Sequence, residues 1–282
     1  MTSHRLTFIT PLFSKGSYDA QPEIRPPSIR GQLHWWFRAL GGSHTDEKAI
    51  FGGVHGDPVS SKIVVRVSNI SGRTGDVATL PHKQGSQASP KSAFLAGTTT
   101  ELHLLERFGG LSETQRKSFR RAVEAWLLAG TLGLRSTRAG GSFIWEPITQ
   151  NGISMPSDSA TYAARLVEIF KGAPMKVMLL NEEFTSAESA RRCVSDTLGG
   201  RDDPHGTSDL SRLNDPLGKI FNGRKTSPLR FRIVMLGNTF RIVAAWDNRS
   251  SVTGNQPNDL QGVIALLVKR GKEIGRAMEI MQ

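Results

Sequence analysis

The stretch Ser28–Leu40, which reads Ser-Ile-Arg-Gly-Gln-Leu-His-Trp-Trp-Phe-Arg-Ala-Leu, has the pattern of an amphipathic helix. Its apolar side chains recur at the three- and four-residue spacing that places them on one helix face: Ile29, Leu33, Trp36, Phe37 and Leu40. Pro26-Pro27 favours an extended approach to the helix, and Ser28 is a frequent N-cap residue. Gly41-Gly42 predicts where the helix ends.

Three basic side chains lie on a second face of this predicted helix. Arg30, His34 and Arg38 are four residues apart, so they form one ridge. Gly31, in the first turn, allows another backbone to approach closely. A basic ridge beside a helix N-terminus suits a phosphate backbone. The alternative is a core helix whose charged face is only solvated.

The composition is that of a basic globular chain. Its 282 residues suggest one large domain or two of ordinary size. A formal net charge of +11 and a pI near 10.2 make a polyanion a natural partner. Cys193 is the only cysteine, so no internal disulfide is expected, which suits the cytoplasm. We find neither a secretion-signal pattern nor a membrane-length apolar stretch, and we expect no membrane partner.

The elements around the basic helix follow the order β-α-β-β-α-β. Strands are predicted at Arg5–Phe13, Lys62–Ile70, Thr99–Arg107 and Phe143–Pro147, and a second helix at Glu113–Gly130. This order is the split βαβ arrangement of the ferredoxin-like fold, so we predict an α+β, ferredoxin-like domain over residues 1–150. Residues 71–97 form a long insertion, and a connection of that length inside a compact domain is usually functional or disordered. Because the insertion lacks a clear apolar period, we expect it to add little to the core.

Residues 151–282 read as a second α+β region with less regular patterns. Helices are predicted at Ser159–Phe170, Ala187–Leu198 and Asn258–Met281, and strands at Met175–Leu180, Leu229–Met235 and Thr239–Trp246. The last two strands would form a hairpin that turns at Gly237-Asn238. A degenerate second ferredoxin-like unit and a helical appendage both fit this pattern.

The segment Gly130–Ser142 is a glycine-rich loop. Arg135 and Arg138 are interleaved there with Ser136, Gly140 and Gly141. Backbone N–H groups, guanidiniums and hydroxyls in one loop suit phosphate binding. The loop lacks the Gly-Lys-Ser/Thr sequence of a nucleotide P-loop. The alternative is a flexible connection with incidental arginines.

Several short motifs fit one known pattern. They are Thr10-Pro11-Leu12-Phe13, Ser28–Leu33, Ile50-Phe51-Gly52-Gly53, the glycine-rich loop, Asp215-Pro216-Leu217-Gly218 and Ser227-Pro228-Leu229. Together they resemble the RAMP superfamily of CRISPR effector proteins, in particular the RAMP subunits of type III-B (Cmr) complexes. The resemblance covers about residues 5–147 most closely. It implies a RAMP fold, binding of guide RNA and assembly with other effector subunits.

The resemblance also gives the long insertion a role. Such proteins carry a thumb-like hairpin between the two strands at the centre of the β-α-β-β-α-β order. This hairpin lies against the guide–target duplex. His82, Lys83 and Lys91 would then face nucleic acid.

We therefore expect a guide RNA-binding subunit of an RNA-targeting effector complex in antiviral defence, with target RNA as a further ligand. The residues expected to contact RNA are Arg25, Arg30, Gly31, His34, Arg38, Lys83, Lys91, Arg135, Ser136, Arg138, Gly140 and Gly141. No cofactor and no metal are expected. His44, Asp46 and His55 are close in sequence but lack a recognised ligand spacing.

Two alternatives remain open at this point. The first is a RAMP-type endoribonuclease, since related backbone subunits cut RNA with an aspartate in the loop that holds Asp19, and His34 could act as an acid or base. The second is a structural subunit that docks only proteins. Trp35, which is off the apolar stripe, fits a base-stacking role, a subunit contact or a domain interface.

Overall fold

The structure, a computed structural model, describes residues 2–16, 21–54, 56–81, 83–199, 227–247 and 249. Several predicted features lie outside these residues: the helix at Asn258–Met281, the motif at 215–218, and the side chains of Asp19, His55 and His82.

The described residues form nine strands and five helices. In order they are β1 (Thr2–Phe8), α1 (Pro26–Ala39), α2 (His44–Phe51), β2 (Ile63–Ser71), β3 (Thr74–Ala78), β4 (Pro90–Phe94), β5 (Thr99–Glu106), α3 (Glu113–Ala129), β6 (Phe143–Pro147), α4 (Ser159–Phe170), β7 (Met175–Leu179), α5 (Ala187–Gly199), β8 (Leu229–Leu236) and β9 (Thr239–Asp247). Short 3₁₀ turns lie at Gly85–Ala88 and Ser136–Arg138. No helix within the described ranges is both long and apolar enough to cross a membrane.

The first half is built on a four-stranded antiparallel sheet with the order β2-β5-β1-β6. Alternate side chains of β1, such as Leu6 and Phe8, are fully buried against α1 and α3, which pack side by side. Two central strands with helices on one face give the ferredoxin-like arrangement that the sequence predicted. The first strand is shorter than predicted: it ends at Phe8 rather than at Phe13, and Pro11, which has no N–H, lies in the segment that follows.

The long insertion is an ordered hairpin in the described residues. β3 and β4, which lie between β2 and β5 along the chain, pair antiparallel with each other, with Thr74 opposite Phe94. Phe94 also forms a bridge with Leu12 and belongs to the main core. The expectation that this segment adds little to the core is therefore wrong at the base of the hairpin.

The second half contributes a three-stranded antiparallel sheet with the order β7-β9-β8. The β8–β9 hairpin turns at Gly237-Asn238, as predicted from the sequence. One face of this sheet packs against α5, and the other adds Val234 and Leu236 to the main core. That core therefore contains residues from both halves of the chain.

A buried arginine also joins the two halves. Arg232, on β8, has no exposed surface, and its guanidinium donates to Gly130 O at 2.7 Å, to Trp126 O at 3.4 Å and to Phe143 O. The neighbouring Ile233 N–H donates to Ser142 Oγ at 3.0 Å. These bonds attach β8 to both ends of the glycine-rich loop.

Substitutions on β4 test whether the hairpin base shares the core. Phe94→Ala should lower the free energy of unfolding by about 3–5 kcal/mol, because it removes a large buried side chain. Lys91→Ala, on the exposed part of the same strand, should stay within about 0.5 kcal/mol of the wild type. Denaturant titrations of the two variants would check this, and equal midpoints would contradict the assignment.

Substitution of Arg232 tests the link between the halves. Arg232→Met should cost about 2–4 kcal/mol of unfolding free energy, because three buried carbonyl oxygens lose a charged donor. Arg66→Met, at an exposed position of β2, is the matched control and should change little. Thermal melts that show similar small shifts for both variants would refute this role for Arg232.

Candidate nucleic-acid interface

The start of α1 differs from the predicted start. The helix begins at Pro26, its N-cap residue is Arg25, and no side chain caps it. Pro26 and Pro27 have no N–H, and the Ser28 N–H already donates to Arg25 O at 3.0 Å. The main chain at this helix end is therefore a poor phosphate site, which corrects one reason for the prediction. Gly31 does lie on an open surface, with no atom within 4 Å of the position a Cβ would take.

The basic ridge of α1 packs against α2, a helix that the sequence analysis did not predict. Arg30 donates to Phe51 O at the end of α2. His34 Nδ1 lies 2.6 Å from Glu47 Oε1, and Arg38 Nη1 lies 3.7 Å from the same oxygen. The ridge is thus partly neutralised from within the chain, and only Arg38, with 54% of its side chain exposed, reaches the surface extensively.

The surroundings of His34 shift its titration in favour of the neutral form. Burial lowers its pKa from the usual value, although the hydrogen bond and charge of Glu47 oppose this shift. Its ring also lies 4.2 Å from the Phe51 ring, centroid to centroid. Because a carboxylate accepts and does not donate, the Nδ1–H of His34 donates the hydrogen bond to Glu47.

The glycine-rich loop is fixed by hydrogen bonds within the chain. The Gly141 N–H donates to Pro11 O at 2.9 Å, and the Gly140 N–H donates to Arg135 O at 3.1 Å. These two N–H groups are therefore already used within the chain, and RNA contact by Gly140 and Gly141 stays a prediction. Gly141 has a structural role instead: its φ is +65°, and a Cβ there would lie 1.9 Å from Leu132 O.

The arginines of this loop lie at a tight turn. Arg135 adopts left-handed backbone angles, with φ of 61°, and its side chain is exposed. Ser136 and Arg138 occupy the 3₁₀ turn that follows and are half-buried. Burial, assisted by the nearby Arg135 charge, lowers the pKa of Arg138 to about 10. Within the described ranges, the Arg138 guanidinium has neither a hydrogen-bond acceptor nor an ion-pair partner.

A residue of the second half that was not predicted joins this region. Arg191, on α5, is 1% exposed and lies over the Phe13 ring at 5.4 Å. Its Nη2 donates to Ala78 O at the end of β3, at 3.0 Å. Burial lowers its pKa, and the charge of Arg135 adds to that shift while Glu188 opposes it. Arg191 therefore connects the hairpin to the surroundings of the glycine-rich loop.

The remaining predicted residues are spread over other parts of the surface. Lys91 is exposed on β4, and Lys83 lies in the connection between β3 and β4. Arg25 Nε is 3.9 Å from Glu23 Oε2 and is partly exposed. Across the described ranges, no hydrogen bond or ion pair joins the α1 ridge directly to the arginines of the glycine-rich loop. The structure thus gives two separate basic groups and a hairpin.

No metal site accompanies these groups in the described part of the chain. No cluster of three or more His, Cys, Asp or Glu side chains is placed there to hold an ion.

Comparison with known proteins gives one consistent result. The RAMP superfamily model matches residues 5–144. A relative named CRISPR system Cmr subunit Cmr1-2, from Pyrococcus furiosus, is 26% identical, over 49% of this chain and 90% of its own length.

Two solved structures share the fold. The apo crystal structure of Cmr1 from Pyrococcus furiosus superposes with a TM-score of 0.61 and 15% identity, over 92% of this chain and 91% of that one. A chain of the type III-B Cmr-beta complex bound to cognate target RNA, solved by cryo-electron microscopy, gives a TM-score of 0.59 and 10% identity, over 96% and 98% of the two chains. Residues 5–144 therefore match the RAMP superfamily, and the chain resembles the Cmr1 subunit of type III-B CRISPR complexes.

Proposed function

We propose that this chain is an RNA-binding subunit of a type III-B-like CRISPR effector complex, in which it holds the guide RNA backbone. The resemblance to Cmr1 and the shared fold with a chain from an RNA-bound complex support this assignment. The observation that carries it is the pair formed by Arg135 and Arg138, in which the half-buried guanidinium of Arg138 has no acceptor within the described residues.

The physical argument rests on the cost of burying a cation. A guanidinium that loses water without gaining an acceptor is destabilised, and a second positive charge beside it adds to that cost. A phosphate oxygen pair would accept from the guanidinium in a bidentate manner, and its single negative charge would offset part of the positive charge of the two arginines. Ser136, on the same turn, has a hydroxyl that can add a neutral donor. Binding of this kind is independent of base sequence.

The α1 ridge and the hairpin have different parts in the proposal. Arg38 is exposed enough to contact phosphate, whereas Arg30 and His34 mainly attach α1 to α2. Lys83 and Lys91 place positive charge on the hairpin, where we propose that target RNA is contacted.

Assembly with other effector subunits is a further part of the proposal. Phe108, in the turn after β5, is fully exposed, and Val54, in the loop after α2, is 79% exposed. β5 ends beside the start of β1, whereas the glycine-rich loop leads into β6 beside the end of β1. Phe108 therefore lies at the opposite end of the sheet from the loop, where a protein neighbour would not compete with RNA.

A double substitution in the glycine-rich loop tests RNA binding. Arg135→Ala with Arg138→Ala should weaken binding of labelled single-stranded RNA roughly 10–100-fold, because charge-assisted hydrogen bonds to phosphate are lost. The control is Arg66→Ala with Arg107→Ala, which removes the same charge from two exposed positions. Circular dichroism should show intact folding of both variants. Equal affinities of the two double variants would remove the loop from the RNA site.

A cleavage assay separates the binder from the endoribonuclease. The purified chain should bind single-stranded RNA and leave it intact with or without magnesium. With about four to six phosphate contacts, the log–log salt slope should be roughly −3 to −4. His34→Ala and Asp19→Ala should leave target cleavage by the assembled complex unchanged. Cleavage by the purified wild-type chain that either substitution abolishes would establish the endoribonuclease instead.

A further inference from the structure

Two arginines on the same face of β8 have opposite environments. Arg230 and Arg232 are two residues apart, so their side chains point the same way and their backbones are about 7 Å apart. Arg232 donates to three carbonyl oxygens in the first half of the chain. In the described ranges, the Arg230 guanidinium has no hydrogen-bond acceptor, and its Nε is buried without a partner.

Arg230 is nevertheless held in place by an aromatic ring. Its guanidinium carbon lies 3.8 Å from the centroid of the Trp35 ring. Trp35 is half-buried and belongs to α1, one residue after His34. A stack of this kind fixes the plane of a guanidinium and leaves its N–H edge available.

Asp247, whose charge acts on Arg230, does not accept a hydrogen bond from it. Asp247 raises the pKa of Arg230, but burial has the larger effect and lowers that pKa to about 10, so the side chain stays charged at neutral pH. The two Asp247 oxygens accept from Arg249, Oδ2 from Nη2 at 2.5 Å and Oδ1 from Nε at 2.9 Å. Arg230 is therefore an oriented, partly buried cation whose donors have no acceptor among the described residues.

We propose that Trp35 and Arg230 together form a binding site for one backbone phosphate of single-stranded RNA. This inference rests on the proposed RNA-binding function and extends it to a residue pair drawn from both halves of the chain. Trp35 holds the guanidinium face, and the guanidinium edge donates to two phosphate oxygens. Trp35 is then a positioning residue for Arg230. This role explains why Trp35 lies off the apolar stripe of α1.

The location of the pair agrees with such a role. Trp35 neighbours the basic ridge of α1, while Arg232 on the same face of β8 binds Gly130, where the glycine-rich loop begins. The pair therefore joins the helix that carries the basic ridge to the strand that contacts the start of the glycine-rich loop.

The test measures binding of a labelled, unstructured single-stranded RNA by the full chain as a function of salt. Arg230→Ala should weaken binding roughly 10-fold through lost charged hydrogen bonds, and should make the salt slope less negative by about 0.7, the value of one phosphate contact. Arg230→Lys should keep the slope and still weaken binding, because lysine lacks the planar fork. Trp35→Phe should bind more tightly than Trp35→Ala, because it retains a ring beneath the guanidinium.

Arg107→Ala is the matched control, since it removes one exposed arginine at the far end of the sheet. It should change the RNA affinity and the salt slope less than Arg230→Ala does. Thermal melts would report folding, and Arg230→Lys keeps the test valid if Arg230→Ala does not fold. If the Arg135 and Arg138 double variant binds weakly while Arg230→Ala and Arg230→Lys bind like the wild type, this inference fails and the proposed function stands. If the wild type binds no RNA, both fail.

Discussion

The relation between the two halves of this chain depends on the buried guanidinium of Arg232. The last carbonyls of α3 have no partners within their helix, and the helix dipole makes that end negative. Arg232 supplies a cation there and also lies over the rings of Phe143 and Trp145, at 4.5 and 5.4 Å from the ring centroids. No acid is needed, because carbonyl dipoles and ring faces share the charge. The glycine-rich loop begins at this point, so the same interaction determines where its arginines are presented.

The local elements of the fold were predictable from the sequence. The four strands of the first sheet, α1, α3, α4 and the turn at Gly237-Asn238 follow from apolar periodicity and turn chemistry, which depend on near neighbours. Helix α2 was also predictable from the sequence, since Ser43 precedes Asp46 by three residues. The Ser43 hydroxyl accepts from the Asp46 N–H. Recognition of that cap would have placed Glu47 opposite the basic ridge and shown that the ridge is partly neutralised.

The remaining features of the site depend on contacts between distant residues. On β8, arginines alternate with apolar residues, a pattern typical of a strand with one face in water, yet that face is covered by the first half of the chain. The glycine pattern indicated a phosphate loop, but the chain itself uses the N–H groups of Gly140 and Gly141. No local sequence pattern singled out Arg191 or Arg230. Their importance comes from burial, which periodicity within one segment does not report.

The β3–β4 hairpin has a consequence for how such proteins diversify. It leaves the sheet from β2 and returns in β5, and these strands are hydrogen-bonded neighbours, with Ser71 opposite Thr99. The pairing of β2 with β5, which the sheet needs in any case, thus offsets the entropic cost of closing the insertion. Doubling the length of the insertion would add only about 0.6 kcal/mol to that cost. Phe94 and the Arg191 contact at Ala78 anchor the base, while the tip makes few core contacts. Evolution can therefore lengthen, shorten or recharge the tip, and so change its reach along a nucleic acid, with little loss of stability.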